Sequence, residues 1–373
     1  MQKPSDWNNF KKVLCIRLDN MGDVLMTSPA IRALKDSVSG RYITLLTSSS
    51  AAGIAKHIYG VDDVIIFNPV YEKKSGGPYP QEVLKIIEQL KEVSYDAAVI
   101  FTVYSQSPLP AAMLCYMAGI PRVAGYCREN PYHLITDWLP DYEPIYQIKH
   151  EVQRQLDLVY ALGASTQNDS MSVSLSGDAV LSAYSLLSNS GIEFSDTFIL
   201  MHPGVSESRR QFPVSGFAEA GKALVKELGC KIVLSGVKSE IPLCDYIVNQ
   251  IGSESISFAG KLKIDELIAL IKIAPVLISN NTGPVHIAAA VGTPVVVVYA
   301  LTNPQHTPWN VPHKVLPFEV PVDRRSKNVI IKYAHHCSFK SSPKAVRTED
   351  IVNAVKELIK ARSSSDKNEL LTL

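Results

Sequence analysis

The chain has 373 residues, too many for one ordinary hydrophobic core and enough for two domains that each bury their own. Its 37 Lys and Arg balance 36 Asp and Glu, so no global field recruits nucleic acid or a membrane surface, and partners must be chosen by local sites. The segment MQKPSDWNNFKK lacks the apolar core of a signal peptide, and nowhere do about 18 apolar residues run uninterrupted. A cytoplasmic protein without a transmembrane segment is expected, which leaves room for peripheral membrane contact.

The six cysteines have no CxxC spacing, and Cys15 and Cys230 sit in apolar runs as buried thiols do. Cys337 beside His335 and His336 has no fourth ligand at a customary metal spacing. In chain order, residues 13–18 (VLCIRL) read as a strand buried on both faces. Asp19-Asn20-Met21-Gly22-Asp23 then turns the chain into a helix from about residue 24 to 37. Strands at 42–46, 64–67, 97–101 and 122–125 alternate with helical stretches at 51–58, 80–93 and 111–118, the pattern of a doubly wound α/β unit. Residues 68–79 and 127–149 form long loops of the kind that carry binding residues. A helix at 150–162, an edge strand at 170–175 and a helix at 178–188 lead to the break at Asn189-Ser190-Gly191. A second α/β series follows, with strands at 198–201, 231–234, 255–258, 276–278 and 295–298 and helices between them. Residues 302–312 are Pro-rich and loop-like, and 348–361 form a well-signalled helix. The division expected is 1–190, 191–346, a C-terminal helix at 347–362 that packs back on the first domain, and a mobile tail at 363–373.

Residues 279–294, SNNTGPVHIAAAVGTP, carry the plainest chemistry. A buried strand breaks into a polar turn and then an alanine-rich helix; Asn280, Asn281 and Thr282 suit an N-cap, and Pro284 suits the first helical turn. Unpaired amides at such a helix start, with the positive end of the helix dipole, hold a diphosphate without any basic side chain. Gly283 lets an oxygen approach the main chain, and His286 falls about one turn inside the helix. A capped strand-to-helix turn with a satisfied histidine accounts for the same residues. Neither GxGxxG nor GxxxxGK[ST] occurs, which weakens a dinucleotide oxidoreductase or P-loop NTPase. DxD is also missing, so helix amides and a cationic side chain, rather than a metal, must neutralise a diphosphate.

Three stretches carry a family resemblance: VLCIRLDNMGDVLMTSPAIRALK near the start, HPGVSESRRQFP after the central break, and SNNTGPVHIAAAVGTPVVVVY. The chain resembles the glycosyltransferase family 9 proteins, the ADP-heptose:lipopolysaccharide heptosyltransferase-like enzymes. The resemblance implies the GT-B fold, two Rossmann-like doubly wound parallel-sheet domains facing across a cleft, with acceptor in the first domain and nucleotide in the second. It implies inverting, metal-independent transfer of heptose or a related sugar from a nucleotide-diphosphate donor, ADP-heptose favoured, to a saccharide or glycolipid acceptor, with no cofactor. Asp23 of the Gly22-Asp23 pair falls on the general base. A carboxylate at the end of the first strand suits that role, and the same residue also reads as a helix cap. Arg210, two positions before Phe212-Pro213, falls on the cation that meets the diphosphate, with Ser206 adding a hydroxyl. Glu240 is placed toward the ribose, Gly260 and Leu262 toward the base, and Asn281, Thr282, Gly283 and His286 toward diphosphate and sugar. Asn281 departs from the acidic residue that many members have there. On the acceptor side stand Gly22, Arg17, Arg122, Tyr126 and Arg128, each of which also reads as a salt-bridged or packed residue. A sugar-nucleotide epimerase or hydrolase of the same fold, an inactive nucleotide-sugar-binding subunit and, more distantly, a dehydrogenase are the competing expectations.

Overall fold

The computed structural model describes residues 7–69, 79–301, 303–338 and 345–370. The chain divides into two compact units, Met1–Ser174 with Asn328–Ala334, and Leu175–Lys327 with His335–Leu373. In the first unit the elements run β1 (Lys12–Arg17), α1 (Met21–Ser37), β2 (Tyr42–Thr47), α2 (Ala52–Ala55), β3 (Asp63–Ile66), α3 (Pro80–Val93), β4 (Ala97–Ile100), α4 (Leu109–Met117), β5 (Val123–Cys127), β6 (Asp137–Pro140) and α5 (Glu151–Ala161). The second begins with α6 (Gly177–Ser188), β7 (Phe198–His202), α7 (Val214–Leu228), β8 (Lys231–Leu234), α8 (Ile241–Ile251) and β9 (Ser255–Ser257). It continues with α9 (Ile264–Ile273), β10 (Leu277–Asn280), α10 (Gly283–Val291), β11 (Val295–Ala300), β12 (His313–Phe318), α11 (Val329–Ser338) and α12 (Thr348–Leu370), the start of α11 counting with the first unit.

Both sheets are parallel, six-stranded and wound in the same sense, β3-β2-β1-β4-β5-β6 in one and β12-β11-β10-β7-β8-β9 in the other. Each therefore reverses its winding between its first and fourth strands, β1 with β4 and β7 with β10. The crevice outside the carboxyl ends of those two strands is where such folds bind ligands. Central strands need apolar residues on both faces, and Val13, Leu14, Cys15 and Ile16 are accordingly at most 1% exposed, as are Val295 to Val298 in β11. In α1, Pro29 has no N–H to give the Leu25 carbonyl, and the Ser28 hydroxyl donates to that oxygen instead at 2.7 Å.

Several elements depart from the sequence expectation. Residues 170–175 form no strand: the Arg32 guanidinium binds the Ser170 carbonyl and the Ser172 hydroxyl, and Ser174 N–H donates to His57 O, so the segment is held irregularly by α1 and by the turn after α2. Helix α6 belongs with the second unit, because Ala179 and Ala183 pack on Ala269 of α9 and Ser182 donates to Glu266. The break thus precedes α6 instead of following it at residue 190. The C-terminal helix, expected back on the first domain, counts with the second unit. Ile351, Val352, Ala354, Val355 and Leu358 of α12 are buried in the core of the second, beneath α7 and β11, and the segment counted with the first unit is Asn328–Ala334. Helix α12 continues to Leu370 where a tail was expected; residues 371–373 lie outside the described residues, as do 70–78 of the loop expected at 68–79. Among the described residues no helix is long and apolar enough to cross a membrane.

Candidate functional site

In the first unit the chain leaves β1 at Arg17 and enters α1 at Met21, so Asp19 and Asp23 stand at the carboxyl end of a switch-point strand. Asp23 is in the first turn of α1, and its Oδ2 accepts from Asn20 N–H at 3.2 Å. The cap reading is thus correct for one oxygen. The other, Oδ1, lies 3.5 Å from Nη2 of Arg17.

Arg17 is fully buried and faces three carboxylates: Nε is 2.8 Å from Asp19, Nη1 2.9 Å from Glu151 and Nη2 3.5 Å from Asp23. Each guanidinium nitrogen faces a different carboxylate, so the positive charge is shared around the cluster and forms no bidentate fork with one partner. Burial by itself lowers the guanidinium pKa, and Asp19, Glu151 and Asp23 more than reverse it, leaving it raised. With one cation among three acids, the Asp19 carboxyl is pushed up to about 6, first by burial, against the pull of Arg17 and with the repulsion of Asp23 added. Gln106, after β4, donates from Nε2 to Asp19 Oδ1 at 2.5 Å. Its Oε1 accepts from Val103 N–H at 3.1 Å, which fixes which end of the amide faces the acid. Glu151 opens α5, and Gln155 one turn later donates both to its Oε1, at 2.6 Å, and to the Thr102 carbonyl, at 3.0 Å.

The remaining first-unit residues named from the sequence fare differently. Arg17 is enclosed by its carboxylates and offers no surface to an acceptor. Arg122 precedes β5, at the amino end of the sheet, and pairs with Asp137 at 2.8 Å; it is remote from the crevice by topology. Tyr126 is near the carboxyl end of β5, its ring 4.5 Å beneath the Arg154 guanidinium, which also binds Asp141 and Glu143. Arg128 donates to the carbonyls of Tyr104 and Glu143, so it too braces the loop. Gly22 is buried in the first turn of α1.

In the second unit β7 and β10 end side by side, with His202 in register with Ser279. Asn280, fully buried, accepts from Phe212 N–H at 3.0 Å and donates to Pro203 O at 2.7 Å, so it ties the loop after β7 to the end of β10. The Phe212 ring packs against Phe217 and Phe318, each centroid 5.6 Å away. These contacts explain the Phe-Pro of the second motif: they anchor the short helical turn Ser208–Arg210. On that turn Arg209 pairs with Glu207 at 2.5 Å, whereas the Arg210 Nε is 3.9 Å from Glu207 and buried with no hydrogen-bond partner among the described residues. Thr282 is the N-cap of α10, yet its hydroxyl caps no helix amide; it contacts the Asn280 carbonyl and the Ser279 hydroxyl. Asn281 is 4% exposed and its Oδ1 is buried without a partner among the described residues. His286 is buried, its ring 6.3 Å from that of His306.

Glu240 lies across two loops. It accepts from the backbone N–H groups of Val237 and Val205, and a Cβ on Gly204 would fall 2.0 Å from its Oε1, so any larger residue there would displace the Glu240 carboxylate. Burial raises the Glu240 pKa and these amides oppose the rise. His202, which opens the second motif without an expected role, sits beside it, 4.0 Å from Glu240 and 3.1 Å from the Ser235 hydroxyl, with burial lowering its pKa to about 4. Ser206 and Gly260 are exposed and Leu262 half-buried; Gly260 has φ +72° and packs on Lys238 and Ile241, a structural reason for glycine at that position. All six cysteines are free and only Cys337 is exposed. Among the described residues no group of three or more His, Cys, Asp and Glu is placed to hold a metal ion, His335, His336 and Cys337 included.

The model of glycosyltransferase family 9 (heptosyltransferase) matches residues 83–344. The lipopolysaccharide core heptosyltransferase OpsX of Haemophilus influenzae is 24% identical over 307 residues, 80% of this chain and 82% of OpsX. The glycosyl transferase family 9 protein of Veillonella parvula superimposes with a TM-score of 0.77 at 18% identity, over 96% of this chain and 100% of that one. E. coli ADP-heptose lps heptosyltransferase II gives 0.71 at 20% identity, over 94% and 99%.

Proposed function

The chain belongs to glycosyltransferase family 9 and is a glycosyltransferase of GT-B fold; from that premise we propose that it transfers heptose or a related sugar from an ADP-linked donor to a saccharide hydroxyl on a lipopolysaccharide-type glycolipid. The single observation that carries the reading is the Asp23 carboxylate, one oxygen tied to the Asn20 amide and the other at the switch-point crevice of the first unit. In the reaction the acceptor hydroxyl gives its proton to Asp23 as its oxygen forms a bond to the anomeric carbon. The bond from that carbon to the diphosphate oxygen breaks in the same displacement, which inverts the centre and releases the nucleoside diphosphate. Arg210 and the amides at the start of α10 receive the growing negative charge. The Nε of Arg210 supports this role: it is buried with no hydrogen-bond partner among the described residues and lies 3.9 Å from Glu207, so an incoming anion would supply the acceptor it lacks. Asn281 and Thr282 face the sugar end, while Glu240 and His202 stand on the nucleoside side.

The names of the relatives support the substrate class, since one acts on the lipopolysaccharide core and another on ADP-heptose and lipopolysaccharide. The test is transfer from ADP-heptose to heptose-free lipopolysaccharide by the parent and by Asp23→Asn. Donor binding is expected to persist in the variant while turnover falls at least about a hundredfold. Turnover within about threefold of the parent removes Asp23 as the base.

A further inference from the structure

Asp23 needs high proton affinity to act as a base, yet it lies at a helix start and near a guanidinium, both of which lower that affinity. The arrangement around it supplies the compensation. Arg17 comes within 2.8 Å of Asp19 and 2.9 Å of Glu151 but only 3.5 Å of Asp23. Asp19 is itself held from three directions: by Arg17, by the Gln106 amide at 2.5 Å, and through its backbone carbonyl, which accepts from the Ser48 hydroxyl at 2.6 Å. Its carboxylate is therefore fixed where it draws the guanidinium away from the base.

We propose that Asp19 is a positioning residue of the transfer reaction: ionised and held by Gln106, it engages Arg17, keeps that charge off Asp23 and so preserves Asp23 as a proton acceptor. The inference rests on Asp23 being the base. The charged and titratable groups facing Asp19 are Arg17 from β1, Asp23 from α1 and Glu151 from α5. Burial and the two acids raise the Asp19 pKa to about 6, against Arg17 and the Gln106 hydrogen bond, so the device is set above about pH 6 and released below it.

Two variants test it, with a measurement that does not depend on turnover. In protein carrying 13C-labelled aspartate, the Asp23 carboxyl resonance of Asp19→Asn is expected to titrate about one pH unit lower than in the parent, because a guanidinium freed from Asp19 settles on Asp23, where such a neighbour is worth about 1 to 3 units. The acid limb of kcat/KM should move down with it while the plateau falls about tenfold, and the KM for ADP-heptose should not change. Gln106→Leu leaves the Asp19 charge but removes the group that favours its ionised form; a loss is expected near pH 6 that recovers toward the parent by about pH 8.5. An Asp23 titration at its parental midpoint in Asp19→Asn overturns the proposal, as does a loss in Gln106→Leu that is equal at every pH. If Asp19→Asn does not fold, the pH dependence of Gln106→Leu decides. Activity surviving in Asp23→Asn would instead strike the base assignment itself, whatever the Asp19 titration shows.

Discussion

The Asn281 Oδ1, buried without a hydrogen-bond partner among the described residues, is the group through which the proposed donor site can be tested most narrowly. An amide donates and accepts, whereas a carboxylate only accepts, so the two favour different patterns of sugar hydroxyls. Asn281→Asp is expected to change the ranking of ADP-heptose against ADP-hexose donors by about 1 to 3 kcal/mol, read as the ratio of kcat/KM, in which a uniform electrostatic loss cancels. An unchanged ratio confines Asn281 to shaping the helix start. His202 makes a stability prediction. Its pKa falls to about 4 in the folded protein through burial, so the unfolded chain binds the extra proton first as pH drops. The stability linked to it is complete above about pH 6.5 and is lost toward pH 4, on the order of 3 kcal/mol at about 1.4 kcal/mol per tenfold change in proton affinity. Urea midpoints at pH 7.5 and 4.5 should thus converge in His202→Gln relative to the parent; equal pH slopes refute the link. Asp23 and Arg210 could be named from the sequence because each sits in a short motif. Glu151 meets the cluster of Arg17, Asp19 and Asp23 only because folding brings α5 beside α1.

Among the elements, the carboxyl end of β10 and the turn bearing Arg210 act as one piece, since Asn280 spans them and the Phe212 ring is locked among Phe217 and Phe318. Helix α12 packs into the same core as Phe212 and Phe217. Ile351 and Val355 are fully buried there, so Ile351→Ala should cost about 2 to 5 kcal/mol in denaturant unfolding through lost burial and the cavity left behind. A loss below about 0.5 kcal/mol would show that α12 is not part of that core. The sequence signals for the start of α12 were strong, and the helix begins at Thr348 as read but runs on to Leu370; where it packs was not legible, because a stripe of apolar residues specifies a buried face but not the surface that covers it. The same limit misassigned α6, whose Ala179 and Ala183 fit wherever a close partner such as Ala269 is offered. Residues 170–175 alternate like a strand, yet Arg32 and His57 take their backbone groups and no sheet edge receives them.

For the whole molecule, the division of labour between the units is open to direct measurement. With ADP added in buffer containing EDTA, hydrogen exchange should slow at the start of α10 and in the loop from His202 to Arg210, the parts of the second unit proposed to bind the diphosphate, while Asp19 to Met21 in the first stays at its free rate. Protection that requires added magnesium would mean that the diphosphate is held through a metal. The alternation of buried strands and amphipathic helices, repeated twice, was sufficient to determine two doubly wound units, because a strand hydrophobic on both faces has few other places to go. The motifs at the ends of β1, β7 and β10 likewise marked the switch points, since small and capping residues must gather where a strand turns into a helix. Only the tertiary structure decided which charges meet. Arg17, Arg122 and Arg128 read alike in the sequence, each either facing an acceptor or held in a salt bridge, and the choice depends on distant chain segments: buried Arg17 requires paired charges, and Arg122 and Arg128 each meet an aspartate. Chain topology leaves Arg122 at the amino end of the sheet, and folding sets Arg17 between Asp19, Glu151 and Asp23.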